Sequence, residues 1–140
     1  MRLPEQRLYD RCKTHLPPEI RLERIENIVA AGTPDIHAIC RGLTTWMELK
    51  AIADIPVRPD TQLLDANHKP SIEQRNWHLD YARCGGRSLI VVGISSKIVI
   101  GIESKWIREL CDGMPFHKAL QIAATVNWNE LSAYLQGERK

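Results

Sequence analysis

The sequence predicts an α/β (α+β) domain in which helices pack on a mixed β-sheet. Three observations support this: apolar residues recur at helical spacing near both ends, short apolar or alternating runs fill the middle, and turn residues separate them. With 140 residues, 44% apolar and 26% charged, the chain can bury one core but not two. A single domain spanning residues 1–140 is expected.

The first predicted element is a helix over residues 4–15. Pro4 suits a first turn, and the helix stops before the prolines at 17 and 18. Its apolar stripe contains Leu8, Tyr9, Cys12 and Leu16, and Glu5 lies in the middle of that stripe.

Strands and helices then alternate. Residues 20–29 are predicted to be extended, and residues 52–69, which break the pattern with prolines, to be a mobile loop beside the site. The other predicted elements are strands over 35–40 and 43–51 joined by a tight link, a helix from the cap Ser71 to about Cys84, a hairpin of strands over 88–93 and 97–102, and helices over 103–110 and 115–135.

Two carboxylates and an ammonium group are placed to converge on one point. Asp35 begins one predicted strand, and Glu48 and Lys50 alternate along the next, so these last two share a face with Trp46. Carboxylate oxygens bind hard divalent cations, which can activate a water beside a phosphate. The pattern therefore indicates a metal-assisted hydrolytic site.

Three motifs in order sharpen this hypothesis. G-x-P-D at residues 32–35 is followed after twelve residues by E-x-K at 48–50, and then by Q-x-x-W at 74–77 on a predicted helix. Together they resemble the signature of the PD-(D/E)XK nuclease superfamily, and in particular the virus-type replication-repair nuclease (VRR-NUC) branch and phage Holliday-junction-resolvase-like proteins. The resemblance covers residues 4 to about 94. It implies a restriction-endonuclease-like core of order αβββαβ over about 4–102, with an extra strand and a C-terminal helical extension over about 103–140.

The resemblance also implies roles for individual residues. Asp35 and Glu48 would hold Mg²⁺, for which Mn²⁺ substitutes, together with the backbone carbonyl of Leu49. Lys50 would act on the attacking water. Gln74 would lie beside the metal, and Glu5 would complete the acidic site from the first helix.

Several of these residues have alternative interpretations. A carboxylate such as Glu5 in the first turn of a helix is stabilised by the positive end of the helix dipole, whichever way its side chain points. Its position therefore has an explanation that needs no metal site. Ser71 and Gln74 form a capping box, a role that competes with the metal site for one glutamine side chain. Glu26 is a rival acidic ligand, and His37 shares strand parity with Asp35 but also suits an ordinary polar strand position.

The expected function is that of a Mg²⁺- or Mn²⁺-dependent endonuclease acting on DNA. The resemblance implies branched substrates such as Holliday junctions or flaps, a homodimer, and a phage or viral source acting in the bacterial cytoplasm in replication, recombination or repair. The net charge of only +2 limits any DNA-binding surface to local patches. The candidate phosphate-binding residues are Arg58, Lys69, Arg75, Arg83 and Arg87.

Two other classes of function stay open at this point. One is a non-catalytic DNA-binding or recombination accessory module with the same fold. The other is an assembly protein whose C-terminal helices, with Trp106, Phe116 and Trp128, contact a partner. A membrane protein is not expected, because no run of 18 apolar residues exists. Four dispersed cysteines without zinc-type spacing are expected to be reduced thiols.

Overall fold

The computed structural model describes residues 3–25 and 32–138, and within them a mixed five-stranded sheet lies between two layers of helices. The predicted fold class and element order are confirmed. The elements are α1 (Pro4–His15), β1 (Arg21–Arg24), β2 (Ile36–Cys40), β3 (Leu43–Ile52), α2 (Ile72–Arg83), β4 (Ser88–Ile94), β5 (Ile98–Glu103), α3 (Ile107–Asp112), α4 (Phe116–Ile122) and α5 (Trp128–Leu135), with a 3-10 turn at Ser104–Trp106.

The strands lie in the order β1-β2-β3-β4-β5. Only β3 and β4 pair in parallel, with Met47 opposite Leu89, because α2 crosses over between them; the other neighbours are antiparallel. The predicted link between β2 and β3 is a two-residue hairpin turn with positive φ at both Arg41 (52°) and Gly42 (81°). This backbone matches the twist of the flanking strands, so it holds the register that brings Asp35 beside β3.

A cluster of buried hydrophobic side chains lies on each face of the sheet. Helices α1 and α5 cover one face, where Leu8 and Leu131 pack with Met47 and Val91. Helices α3 and α4 cover the other, where the buried Ile107 packs with neighbours from β4 and β5. Since β3 alternates between the two faces, Trp46, Glu48 and Lys50 point to the side of α2, while Met47 and Leu49 point to the side of α1.

The segment between β3 and α2 is irregular, as predicted, but its middle is anchored. Leu63 and Leu64 are buried in the core beneath α3 and α4. The backbone N–H of Leu63 donates to the carbonyl of Met114 over 2.9 Å, and that of Phe116 donates to Thr61 over 2.7 Å. The prediction of a mobile loop is therefore wrong for this middle part, because two leucines bury their side chains there.

Two other boundaries differ from the predictions. β1 ends at Arg24, and the predicted extension over 26–29 lies outside the described residues. The predicted helix over 115–135 is two helices, because Thr125 leaves the helical path to bridge Gly101 on β5 and Asn127 then caps α5. Trp106, Phe116 and Trp128 pack against the cores, so these aromatic side chains are largely used inside the fold.

All four cysteines are free thiols, as predicted. Across residues 3–25 and 32–138, the helices are all too short or too polar to cross a bilayer.

Candidate functional site

Asp35 is fixed at the start of β2 by both neighbouring strands. Its side-chain Oδ2 accepts a 2.8 Å hydrogen bond from the backbone N–H of Leu49 on β3. Its carbonyl accepts another, also of 2.8 Å, from the N–H of Ile25 beyond β1. In a strand the N–H and C=O of one residue point to the same edge, so the Leu49 carbonyl faces the edge on which Asp35 lies. The two predicted ligands are thus neighbours.

Gly32 explains the first letter of the G-x-P-D motif. Its φ is +88°, and a Cβ placed there would lie 2.3 Å from the backbone carbonyl oxygen of Glu73 in the first turn of α2. Only glycine allows this approach without strain. The motif that delivers Asp35 therefore also packs against the helix that delivers Gln74.

Glu48 is a buried carboxyl group with an unsatisfied oxygen. Its relative exposure is 2%. Oε2 accepts a 3.0 Å hydrogen bond from Nε2 of Gln74, whereas the buried Oε1 has no hydrogen-bond partner. Burial raises the pKa of Glu48 to about 9, and the adjacent Asp35 carboxylate adds to the shift while Lys50 opposes it. In the metal-free protein this carboxyl is therefore protonated at neutral pH.

The side chain of Gln74 completes the capping box and at the same time contacts Glu48 and Lys50. Its Oε1 accepts from the backbone N–H of Ser71 over 2.9 Å, which completes the capping box, and from Nζ of Lys50 over 3.2 Å. Its Nε2 donates to Glu48 at the same time. The prediction of competition is wrong because the amide has separate donor and acceptor ends.

Lys50 reaches the site from the same face of β3 as Glu48. The hydrogen bond to Gln74 holds its ammonium group beside the carboxyl of Glu48. Its charge also lowers the pKa of Glu48 against the effect of burial. Glu48 and Lys50 thus lie on the same face of β3, as the strand period predicted. Gln74 on α2 forms a hydrogen bond with each of them.

Glu5 lies at the mouth of a cleft of about 380 Å³ that Asp35 and Leu49 also line. It is exposed rather than central in the apolar stripe, whose buried members are Leu8, Cys12 and Leu16. Partial burial raises the pKa of Glu5, and the Asp35 charge adds to this, while Lys50, His68 and Arg24 oppose it. Glu5 therefore shares the electrostatic environment of the site.

Sequence reasoning did not identify three other residues that line this cleft: Tyr9, Arg24 and His68. Tyr9 lies four residues after Glu5, so helical periodicity alone would have put both on one face. Arg24 and His68 had no such signal, because their positions depend on how β1 and the irregular segment fold. His68 is held by Asp65, whose Oδ1 lies 2.7 Å from its Nδ1.

The residues present fit a hard cation. Among the described residues no three His, Cys, Asp or Glu side chains are grouped closely enough to hold a metal alone. Magnesium, however, keeps several waters and needs only one or two carboxylates. Such a donor set consists of the unpartnered Oε1 of Glu48, the adjacent carboxylate of Asp35 and the backbone carbonyl of Leu49. The rival ligand Glu26 lies outside the described residues.

The remaining candidate residues are not part of this donor set. The ring of His37 packs against Trp46, with centroids 4.8 Å apart, in an aromatic cluster with Trp77 and Tyr81. Among the predicted phosphate-binding residues, Arg58 is exposed in the irregular segment, Lys69 and Arg75 are half-buried, Arg83 pairs with Asp80, and Arg87 lies over the ring of Tyr134 and donates to its carbonyl.

No family model and no curated protein matches the chain. Solved structures do match. One is a VRR_NUC domain, 20% identical with a TM-score of 0.49; the alignment covers 79% of this chain and 97% of that one. Another is Hjc, a Holliday junction resolvase from the archaeal hyperthermophile Archaeoglobus fulgidus, 12% identical with a TM-score of 0.47, covering 83% of this chain and 96% of that one.

Proposed function

We propose that this protein is a Mg²⁺- or Mn²⁺-dependent endonuclease that hydrolyses phosphodiester bonds in DNA. The observation that carries the proposal is the buried Oε1 of Glu48, which lacks a hydrogen-bond partner although a second carboxylate lies beside it. A buried carboxyl oxygen without a hydrogen-bond partner is costly to the fold, and a cation that displaces the carboxyl proton would supply that partner.

The residues divide the work in the following way. Asp35, Glu48 and the Leu49 carbonyl would hold the ion, with Glu5 at the rim of the cleft. The ion, when bound, polarises the phosphate and lowers the pKa of a bound water. Lys50, fixed by Gln74, places a positive charge beside the carboxyl of Glu48, where an attacking water or hydroxide would be oriented and stabilised.

The choice of DNA substrate rests on the motif resemblance and on the site itself. A phosphodiester is anionic, so a cation and an ammonium group that converge on one point suit it. The described part of the chain contains no separate base-reading module, which favours recognition of DNA shape, as in junctions or flaps, over recognition of sequence. A homodimer that acts in phage or viral recombination or repair, in the cytoplasm of a bacterial host, belongs to the same proposal.

The test is cleavage of labelled four-way junction, flap, duplex and single-stranded DNA with Mg²⁺, with Mn²⁺ and with a chelator. We expect metal-dependent cutting, strongest on branched DNA. Asp35→Asn keeps the size of the side chain but removes its charge, and it should lower the rate more than about 100-fold, since even outer partners of metal ligands can cost that much. Asp54→Asn, an exposed residue of the irregular segment, is the matched control.

The result also separates the other classes of function. Equal rates for wild-type protein and Asp35→Asn would show that the cutting comes from a contaminant or another site. Junction binding without cleavage in either metal would instead favour an accessory DNA-binding module. Light scattering on the same samples measures the mass, and a value of one chain would contradict the homodimer.

A further inference from the structure

A second cleft continues directly from the acidic one. It has a volume of about 430 Å³, and it shares Pro4, Ala51 and His68 with the cleft that contains Asp35 and Glu5. Its own polar lining comes from two arginines of α1 and from the serine turn between β4 and β5. The two clefts therefore form one continuous surface whose chemistry changes from acidic to basic.

The arginines Arg7 and Arg11 lie four residues apart on α1, so both project toward this second cleft. No carboxylate within residues 3–25 or 32–138 forms a salt bridge with either guanidinium. Among the described residues, no carboxylate therefore neutralises their charges by an ion pair. By contrast, Arg83 is paired with Asp80, and Arg87 is engaged by Tyr134.

The position of Arg11 is fixed by the sheet. A Cβ on Gly93 of β4 would lie 3.3 Å from Nη2 of Arg11 and 2.8 Å from Cδ1 of Leu8. The guanidinium therefore lies over the end of β4, where glycine leaves room for it. The next residues, Ser95 and Ser96, turn the chain toward the same cleft, and the Ser95 N–H is bonded to the carbonyl of Ile52 over 2.8 Å.

We propose that Arg7 and Arg11, with the hydroxyls of Ser95 and Ser96, bind a backbone phosphate of the DNA strand whose neighbouring phosphodiester lies at Asp35 and Glu48. This inference rests on the proposed nuclease function and adds to it a second contact point on the substrate. Two guanidinium groups beside a cation site give a DNA strand one fixed path past the C-terminal ends of β3 and β4. A phosphate contact of this kind positions the substrate and carries no sequence preference.

The test is DNA binding as a function of salt, measured by fluorescence anisotropy on a labelled junction in chelator. The double variant Arg7→Gln/Arg11→Gln is compared with the charge-matched control Arg21→Gln/Arg108→Gln, at exposed positions on β1 and α3. We expect the first pair to weaken binding about 10-fold or more and to make the slope of log K against log salt shallower by about 1, because the loss of one phosphate contact removes about 0.9 from it. The control should stay close to wild type.

Cleavage assays complete the design. The double variant Arg7→Gln/Arg11→Gln should raise KM more than it lowers kcat, because the carboxylates and Lys50 are unchanged. Thermal melts report whether the double variant folds. If it does not, the exposed Arg7→Gln alone should still weaken binding and make the salt slope shallower than that of the wild type.

The failure of this inference is distinguishable from that of the nuclease function. If the wild-type protein cuts DNA and the two double variants bind DNA equally well or equally badly, the proposed role of Arg7 and Arg11 is wrong. The nuclease function is not affected by that result. Wild-type protein that neither binds nor cuts any DNA overturns both proposals. Only a selective loss in the Arg7 and Arg11 variants supports the phosphate site.

Discussion

Nε2 of Gln74 donates a 3.0 Å hydrogen bond to Oε2 of Glu48, which joins the first turn of α2 to the centre of β3. The same side chain accepts from Lys50 and from the cap residue Ser71. A helix cap and a candidate catalytic group are thus one unit. Changes at the start of α2 are therefore expected to reach the chemistry.

Gln74→Ala should affect activity more than folding. The substitution leaves both oxygens of Glu48 without a protein partner and frees Lys50. We expect metal-dependent cleavage to fall about 10- to 100-fold, the usual cost of losing a residue that orients metal ligands. The measurements are kcat, KM and Mn²⁺ affinity by calorimetry. Asn76→Ala, exposed on the same helix, is the control, and similar losses in both variants would contradict the role of Gln74.

Glu48→Gln should abolish cleavage yet stabilise the metal-free protein above neutral pH. The folded pKa of about 9 lies above the ordinary value of 4.5, so the wild-type fold loses stability as pH rises through this interval. Glutamine does not ionise and removes that loss. We expect Tm in chelator at pH 8 to rise by about 4 °C or more, the shift that about 1 kcal/mol produces in a domain of this size.

The pH dependence is the decisive part of this experiment. At pH 5 the advantage of Glu48→Gln should largely disappear, because the wild-type carboxyl is then protonated in the folded protein and partly so in the unfolded chain. Glu73→Gln removes an exposed carboxyl from the first turn of α2 and should show no such trend. A gain in Tm that is equal at both pH values would argue against a buried, protonated Glu48.

His78 should make the folded protein less stable as pH falls, which is the opposite of the effect of Glu48. It is fully buried on α2, where Nδ1 lies 2.9 Å from the hydroxyl of Ser88 and Nε2 has no partner. Burial lowers its pKa to about 4, with Lys50 adding to the effect. Since the unfolded group titrates near 6.5, stability is lost as pH falls from about 6.5 to 4, by up to about 3 kcal/mol.

Denaturant unfolding of wild type and His78→Leu at pH 7.5 and 4.5 measures this loss. The variant loses the bond to Ser88 but carries no titratable group, so its stability should fall less between the two pH values. His15→Gln serves as the control, because its ring stacks on Trp128 at an exposed position. Parallel losses in wild type and His78→Leu would assign the acid sensitivity to other groups.

Gly32→Ala should disturb the fold and the site together. The new methyl group would meet the Glu73 carbonyl at 2.3 Å in a backbone of φ +88°. We expect a loss of about 2 kcal/mol or more, with reduced cleavage, because either α2 or Asp35 must move. Gly42→Ala is a matched control: its φ is +81°, but nothing lies within 4 Å, so it reports the backbone strain alone. Equal costs at the two positions would show that the contact with α2 is unimportant.

The sequence by itself determined the order of the elements and the candidate chemistry. The period of two placed Glu48 and Lys50 on one face, the Arg41-Gly42 turn set the hairpin, and Ser71 marked the start of α2, because these signals act over a few neighbouring residues. Only the tertiary structure showed that Gln74 caps α2 and bonds to Glu48 at once, and that Gly32 is packed against Glu73. The same holds for the basic cleft of Arg7 and Arg11 beside Asp35. These relationships join segments far apart in the chain, and their distances depend on the packing of whole helices on the sheet rather than on local preference.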